Sequence, residues 1–113
     1  MVTKTIELSE VIQEMRNVKT RMDKVIVEVY KQAKLKDKAE REYRIALAQE
    51  ILKLKADGMQ ATLIPDTARG NTADLKFNRD IAKSLYDSAR DSMETLRTEA
   101  SLLQTISKYQ DEL

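Results

Sequence analysis

The chain has 113 residues, of which 35% are charged and 4% aromatic, with a formal net charge of +1. It holds no cysteine and no histidine. That excludes a disulfide framework and a thiolate metal site, and it removes the commonest general base and the best protein nucleophile. Interspersed charges of both signs also argue against strong sequence-independent DNA binding, which needs a positive field against the phosphates.

A length of 113 residues fits one domain, 1–113. Apolar content comes from Leu, Ile, Val, Met and Ala, while Gly and Pro are nearly absent, a composition typical of long helices and coiled coils. No apolar run approaches the ~20 residues that cross a bilayer. The segment Met1-Val2-Thr3-Lys4-Thr5 lacks a signal-peptide pattern, so the expected location is the cytosol.

The first element is predicted as a helix over about 6–57, capped by Thr5 or Ser9, with Glu7 and Glu10 at the positive end of its dipole. Leu8, Val11, Met15, Val18, Met22, Val25 and Val29 step by alternating three and four, which is a heptad seam. Gln32 and Lys36 then occupy the seam and weaken it. It is expected to resume shifted, through Ala39, Tyr43, Ala46 or Leu47, Ile51 and Leu54, as after a stutter or bend. Gly58 suits the left-handed position just past the helix, with Met59 folding back on Leu54.

Gly58, Pro65 and Gly70 concentrate the helix breakers in one segment, read as a structured turn over 58–72. It is longer than the ~2–8 residues that antiparallel helices need. Leu63 and Ile64 are expected to plug the end of the core. Asp66, Arg69 and Asn71 are candidate tip contacts, with Arg69 the one for a partner's carboxylate or a phosphate, although Asp66 capping a short helical turn and Arg69 pairing with it or with terminal carbonyls explains the same residues structurally. A second helix follows over about 73–111, with Asp74 in its first turn and a seam at Ala82, Leu85, Ala89, Met93, Leu96, Ala100, Leu103 and Ile106.

The expected fold is therefore all-α: a long antiparallel two-helix hairpin, coiled-coil-like, assembling into a dimeric or larger helical bundle. A reversal centred on Pro65 pairs residues whose numbers sum to roughly 130, given equal rise on both arms. It sets Leu54 near Phe77, Tyr43 near Ala89, Val29 near Leu103 and Met22 near Tyr109. The N-terminal stretch of the first helix is then an overhang, and its seam residues Leu8, Val11, Met15 and Val18 are the predicted self-association surface. Ile12, Ile26, Leu35, Ile45 and Leu52, with Ile81, Leu102 and Tyr109, lie off the seam, which favours burial against further helices.

Catalytic chemistry has little to work with. Glu42 and Glu50 are the nearest approach to an inward metal-binding pair, and they read better as solvated residues partnered by Arg or Lys. No phosphate-loop or dinucleotide glycine pattern is present, and no cofactor is expected. Lys31, Lys34, Lys38 and Arg41 share one helix face, with Tyr30 and Arg44 beside them. This is a candidate track for single-stranded nucleic acid, or a solvated face balanced by Asp37, Glu40, Glu42, Asp87, Asp91 and Glu94.

The stretches Ala39–Ala48, Leu54–Gly58, Ala61–Asn71 and the later Ile81-Ala82 and Tyr86–Ala89 resemble small, uncharacterised helical proteins of phages and prophages of Gram-positive bacteria, encoded near early recombination and replication genes. The resemblance spans roughly 39–106 and brings no assigned activity. It implies a phage or prophage accessory protein acting in a bacterial cytoplasm. The reading that follows is a non-enzymatic protein that binds itself and an unidentified protein partner, modulating or inhibiting a host factor or supporting recombination or replication. The alternative is a single-stranded nucleic-acid accessory protein using its basic face. No membrane partner is expected.

Overall fold

The structure, a computed structural model, describes residues 7–111. Among them there are three helices and no strand: α1 Leu8–Ala56, α2 Ile64–Asn71 and α3 Ala73–Asp111. The carbonyl of Glu7 accepts the amides of Glu10 and Val11 at 3.0 and 3.2 Å, so Glu7 stands at the cap immediately before α1. Ser9 lies inside the first turn, not at its cap, and Thr5 lies outside the described residues.

The burial pattern of α1 follows heptad spacing. Val11 and Val18 are buried, and Met15, Met22, Val25, Val29, Gln32, Lys36 and Ala39 are half-buried, leading to buried Tyr43. Gln32 and Lys36 thus stay in the seam, and the phase does not shift there as expected. The shift falls later, where Leu47, Ile51 and buried Leu54 replace the strict seven-residue step. On α3 the inward row is Leu75, Arg79, Ala82, Tyr86, Ala89, Met93, Leu96, Ala100 and Leu103. The expected Leu85 is not part of it; it is 51% exposed, and Tyr86 points inward instead.

α1 ends on a Schellman motif. Gly58 has φ 83°, its amide donates to the Lys55 carbonyl at 3.1 Å, and the Met59 amide donates to the Leu54 carbonyl at 3.1 Å. Met59 packs against the cluster of Leu54, Ile64 and Ala68, the hydrophobic contact that accompanies this cap.

The segment 58–72 is not simply a turn. Its second half is the eight-residue helix α2, with Pro65 in its first turn, where the missing N–H costs nothing. Ile64 and Ala68 of α2 are buried against Leu54 with Leu47 and Ile51 around them. Ile64 plugs the core as expected, while Leu63 is 54% exposed. Thr72 joins α2 to α3. It departs from helical geometry at φ −113° and ψ 14°, and its buried hydroxyl donates to the Ala68 carbonyl at 2.8 Å. Its own carbonyl accepts the Lys76 amide, which starts α3.

The return arm therefore begins at α2, and the reversal lies between Gly58 and Leu63 rather than at Pro65. This corrects the register. Glu50 meets Asn71, Tyr43 meets Arg79 and Lys36 meets Tyr86, pairs centred on residue 60 or 61. In the neighbouring unit Arg21 meets Glu99, again centred on 60. These pairs are not the ones that a reversal at Pro65 sets out, and Phe77 and Tyr109, two of the expected partners, are 64% and 66% exposed.

The chain divides into two compact units, one comprising α1 up to Val29 with α3 from Ser88, the other Tyr30–Asp87. In the first, buried Val11, Val18, Ala89 and Leu96 form the seam. In the second, α2 adds a third layer against α1, and Tyr43, Leu54, Ile64, Ala68 and Thr72 are the buried residues.

Candidate interaction surfaces

The predicted self-association seam is not free. Val11 is 2% exposed and Val18 3%, Met15 is half-buried, and Leu8 alone of the four is exposed. Val11 shares a groove with Leu103 and Ile106, and Val18 shares another with Ala100. α3 covers this stretch because the reversal comes earlier than Pro65 suggests. Among the described residues Val11 and Val18 are therefore covered and do not present an open apolar seam, while Leu8 stays exposed.

At the tip, Arg69 donates to Asp66 at 3.2 Å, and the Asn71 amide donates to Glu50 at 2.7 Å. All three candidate contacts are exposed, and all three have structural partners, Asp66 and Arg69 within α2 and Asn71 against α1. Glu50 is thus held by an amide. Glu42 pairs with Lys38 at 3.9 Å. Among the described residues no group of three or more acidic, His or Cys side chains could hold a metal ion.

The basic face is exposed throughout at Lys31, Lys34, Lys38, Arg41 and Arg44. Arg44 turns sideways to Glu40, with its Nε donating at 2.7 Å. Lys31, Lys34 and Arg41 enter no ion pair among the described residues, and Tyr30 beside them is 72% exposed.

Sequence reading did not single out Arg79, which joins Tyr43, Asp80 and Glu40 in the Tyr30–Asp87 unit. It occupies an inward position on α3, where an aliphatic residue is usual. Its guanidinium lies 4.6 Å from the centre of the buried Tyr43 ring, takes Asp80 at 3.0 Å and sits 3.5 Å from Glu40. The hydrogen bond to Asp80 raises its pKa, opposed by desolvation and helped by the charges of Asp80 and Glu40. Arg79 therefore stays charged at any ordinary pH. Lys36 lies 4.9 Å from the centre of the Tyr86 ring. Long stems pack in the seam while the charged heads sit on rings and reach the edge. A polar layer of this kind fixes register in a coiled coil at some cost in stability.

These groups make one flank of the unit strongly charged. Lys36, Asp37, Glu40, Arg44, Arg79, Asp80 and Lys83 line a single shallow groove. Its cations and carboxylates largely neutralise one another. On the opposite side of the seam the heptad places Leu35 of α1 level with Leu85 of α3, and Ile81 and Phe77 continue from Leu85 in steps of four. Leu35, Leu85, Ile81 and Phe77 are 43%, 51%, 43% and 64% exposed, and Ile45 and Leu52, one heptad apart on α1, are 44% and 66% exposed.

The described residues form an all-α fold of two long helices and one short one, which fits a hairpin, and no described helix is long and apolar enough to cross a membrane. No protein-family description matches the chain, and neither curated proteins nor solved structures give a match.

Proposed function

We propose that this chain is a non-catalytic helical interaction protein that associates with itself and with a protein partner. The observation that carries the reading is a surplus of large apolar side chains left exposed on helices whose own seam is already closed. Helices with more apolar side chains than one seam uses favour burial against further helices. The absence of His and Cys from the sequence fits binding better than chemistry. The resemblance of residues 39–106 to phage and prophage proteins supports a role in a bacterial cytoplasm, in modulating a host factor or assisting phage recombination or replication.

Sedimentation equilibrium of the full chain tests the reading. A mass clearly above 13.0 kDa at tens of micromolar is expected. A second reading, binding of single-stranded nucleic acid, draws on exposed Lys31, Lys34 and Arg41 beside Tyr30. Fluorescence anisotropy of a labelled single-stranded oligonucleotide separates the two. No binding at low or moderate salt is expected, whereas a monomer with tight, salt-steep binding would replace the first reading by the second.

A further inference from the structure

We infer that the outward face of α1 in the Tyr30–Asp87 unit, from Lys31 to Leu52, is the dock for an acidic, partly apolar helix of the protein partner. This rests on the reading of the protein as one that binds a partner, and it supplies the chemistry of that partner.

Within this unit α1 carries two stripes in the same three-four rhythm. One is the seam, which includes half-buried Lys36 and buried Tyr43. The other begins at Lys31 and steps through Lys34, Lys38 and Arg41 to Ile45 and, past Ala48, to Leu52. It lies on the far side of the helix from the seam. Every position on it is exposed, Ile45 at 44% and Leu52 at 66%. No acidic residue occupies it, although the chain holds 19 acids against 20 cations. The nearest carboxylates, Asp37 and Glu42, stand in the adjoining rows, and Glu42 lies 3.9 Å from Lys38. Lys31, Lys34 and Arg41 carry their charge without an ion pair among the described residues.

The occupant follows from the order of these residues. The first half of the stripe presents four cations, and the second presents Ile45, Ala48 and Leu52. Carboxylates opposite the cations gain charge-assisted hydrogen bonds, and apolar groups opposite Ile45 and Leu52 remove them from water. A single helix with Asp or Glu along one half and Leu or Ile along the other satisfies both. Its own side chains recur in steps of three and four, so they meet the stripe in phase. The stripe is two rows wide and roughly 32 Å long at ~1.5 Å per residue, which matches one helix laid alongside. A nucleic-acid strand has use for the cations alone, since the apolar half offers neither charge nor a ring to stack on. A lipid surface calls for an apolar face with cations at its margins, whereas here the cations hold the centre line.

The test uses the full chain and two fluorescein-labelled helical peptides of about 25 residues and identical composition. In the first, Glu fills one half of a heptad stripe and Leu the other; in the second, the same residues alternate along the stripe. Fluorescence anisotropy at low salt should give a Kd of about 10–100 µM for the first and at least about tenfold weaker binding for the second. The double variant Lys34→Glu with Arg41→Glu should weaken the first complex by about tenfold or more, and so should Leu52→Glu. Lys76→Glu with Lys83→Glu changes the net charge equally, at exposed positions of α3, and should bind as the parent does. Circular dichroism checks that each variant keeps its helicity. Equal binding of the two peptides, or equal loss in the two double variants, would overturn the dock. Binding of neither peptide would overturn it too, while self-association, read by sedimentation, stands or falls separately. Tight binding of a labelled single-stranded oligonucleotide that is lost in the α1 double variant would overturn it in favour of nucleic acid.

Discussion

Replacing either glycine by alanine should change stability in opposite directions. An added Cβ meets nothing within 4 Å at Gly58 or at Gly70, so side-chain clash contributes at neither site. What differs is the backbone. Gly58 holds φ 83°, the left-handed cap of α1, whereas Gly70 lies inside α2 without a positive φ. An alanine at 58 pays the left-handed penalty of about 1–2 kcal/mol. An alanine at 70 gains about 0.4–1 kcal/mol, because glycine loses more freedom on folding. The two variants should therefore differ by about 2 kcal/mol, or about 8 °C in Tm at roughly 4 °C per kcal/mol for a chain of this size. Thermal melts followed by circular dichroism at one fixed protein concentration read this difference directly. Two shifts of the same sign would refute the assignment of Gly58 to the cap and Gly70 to the helix.

Three further substitutions probe the seam and its joints. Val18→Asp puts a carboxylate where the side chain is 3% exposed and should cost about 4 kcal/mol or more, as should Leu96→Asp at 8% exposed; Val27→Asp should cost under about 0.5 kcal/mol, all by chemical denaturation. Retention of the hairpin in Val18→Asp would restore the overhang and contradict the register. Thr72→Val removes the 2.8 Å hydroxyl bond to Ala68 and should cost about 1 kcal/mol, read as a lower urea midpoint; no change would mean that the bond does not hold α2 to α3. Arg21→Ala breaks the 2.9 Å bridge to Glu99, but with side chains 51% and 41% exposed the loss should be at most about 1 kcal/mol and should shrink further in high salt.

Much of the fold could be read from residue spacing alone. Alternating steps of three and four from Val11 to Val29 gave the seam, and Gly58 with Met59 announced a Schellman cap that the backbone bonds reproduce. The register was not legible, because Pro65 has two physical meanings. It breaks a helix from within yet starts one readily, and here it sits in the first turn of α2. Taking it as the centre of the turn displaced the pairing and left Val11 and Val18 apparently unpartnered. Leu85 and Tyr86 were confused for a related reason: adjacent apolar residues both fit a seam until its phase is known from Arg79 and Ala82.

Arg79 was missed because an inward arginine breaks the apolar pattern that marks a seam. The ring of Tyr43 and the carboxylates of Asp80 and Glu40 offset its burial, and that group is assembled by packing between α1 and α3. The off-seam residues Leu35, Ile45, Leu52 and Ile81 were visible in the sequence. That Leu35 comes level with Leu85 on one side of the seam follows only once the two helices are aligned.

The alignment of the arms is the central claim, and spin-label distances measure it without interference from native thiols, since the chain has no cysteine. Nitroxides at Arg21→Cys and Glu99→Cys should lie roughly 10 Å apart at the backbone, while Arg21→Cys and Tyr109→Cys, ten residues further along α3, should lie roughly 18 Å apart. Doubly labelled chain diluted with unlabelled protein keeps contributions from a second copy out of the reading. The account predicts the shorter distance for the pair at 21 and 99. The shorter distance at 21 and 109 would move the reversal back to Pro65 and contradict it.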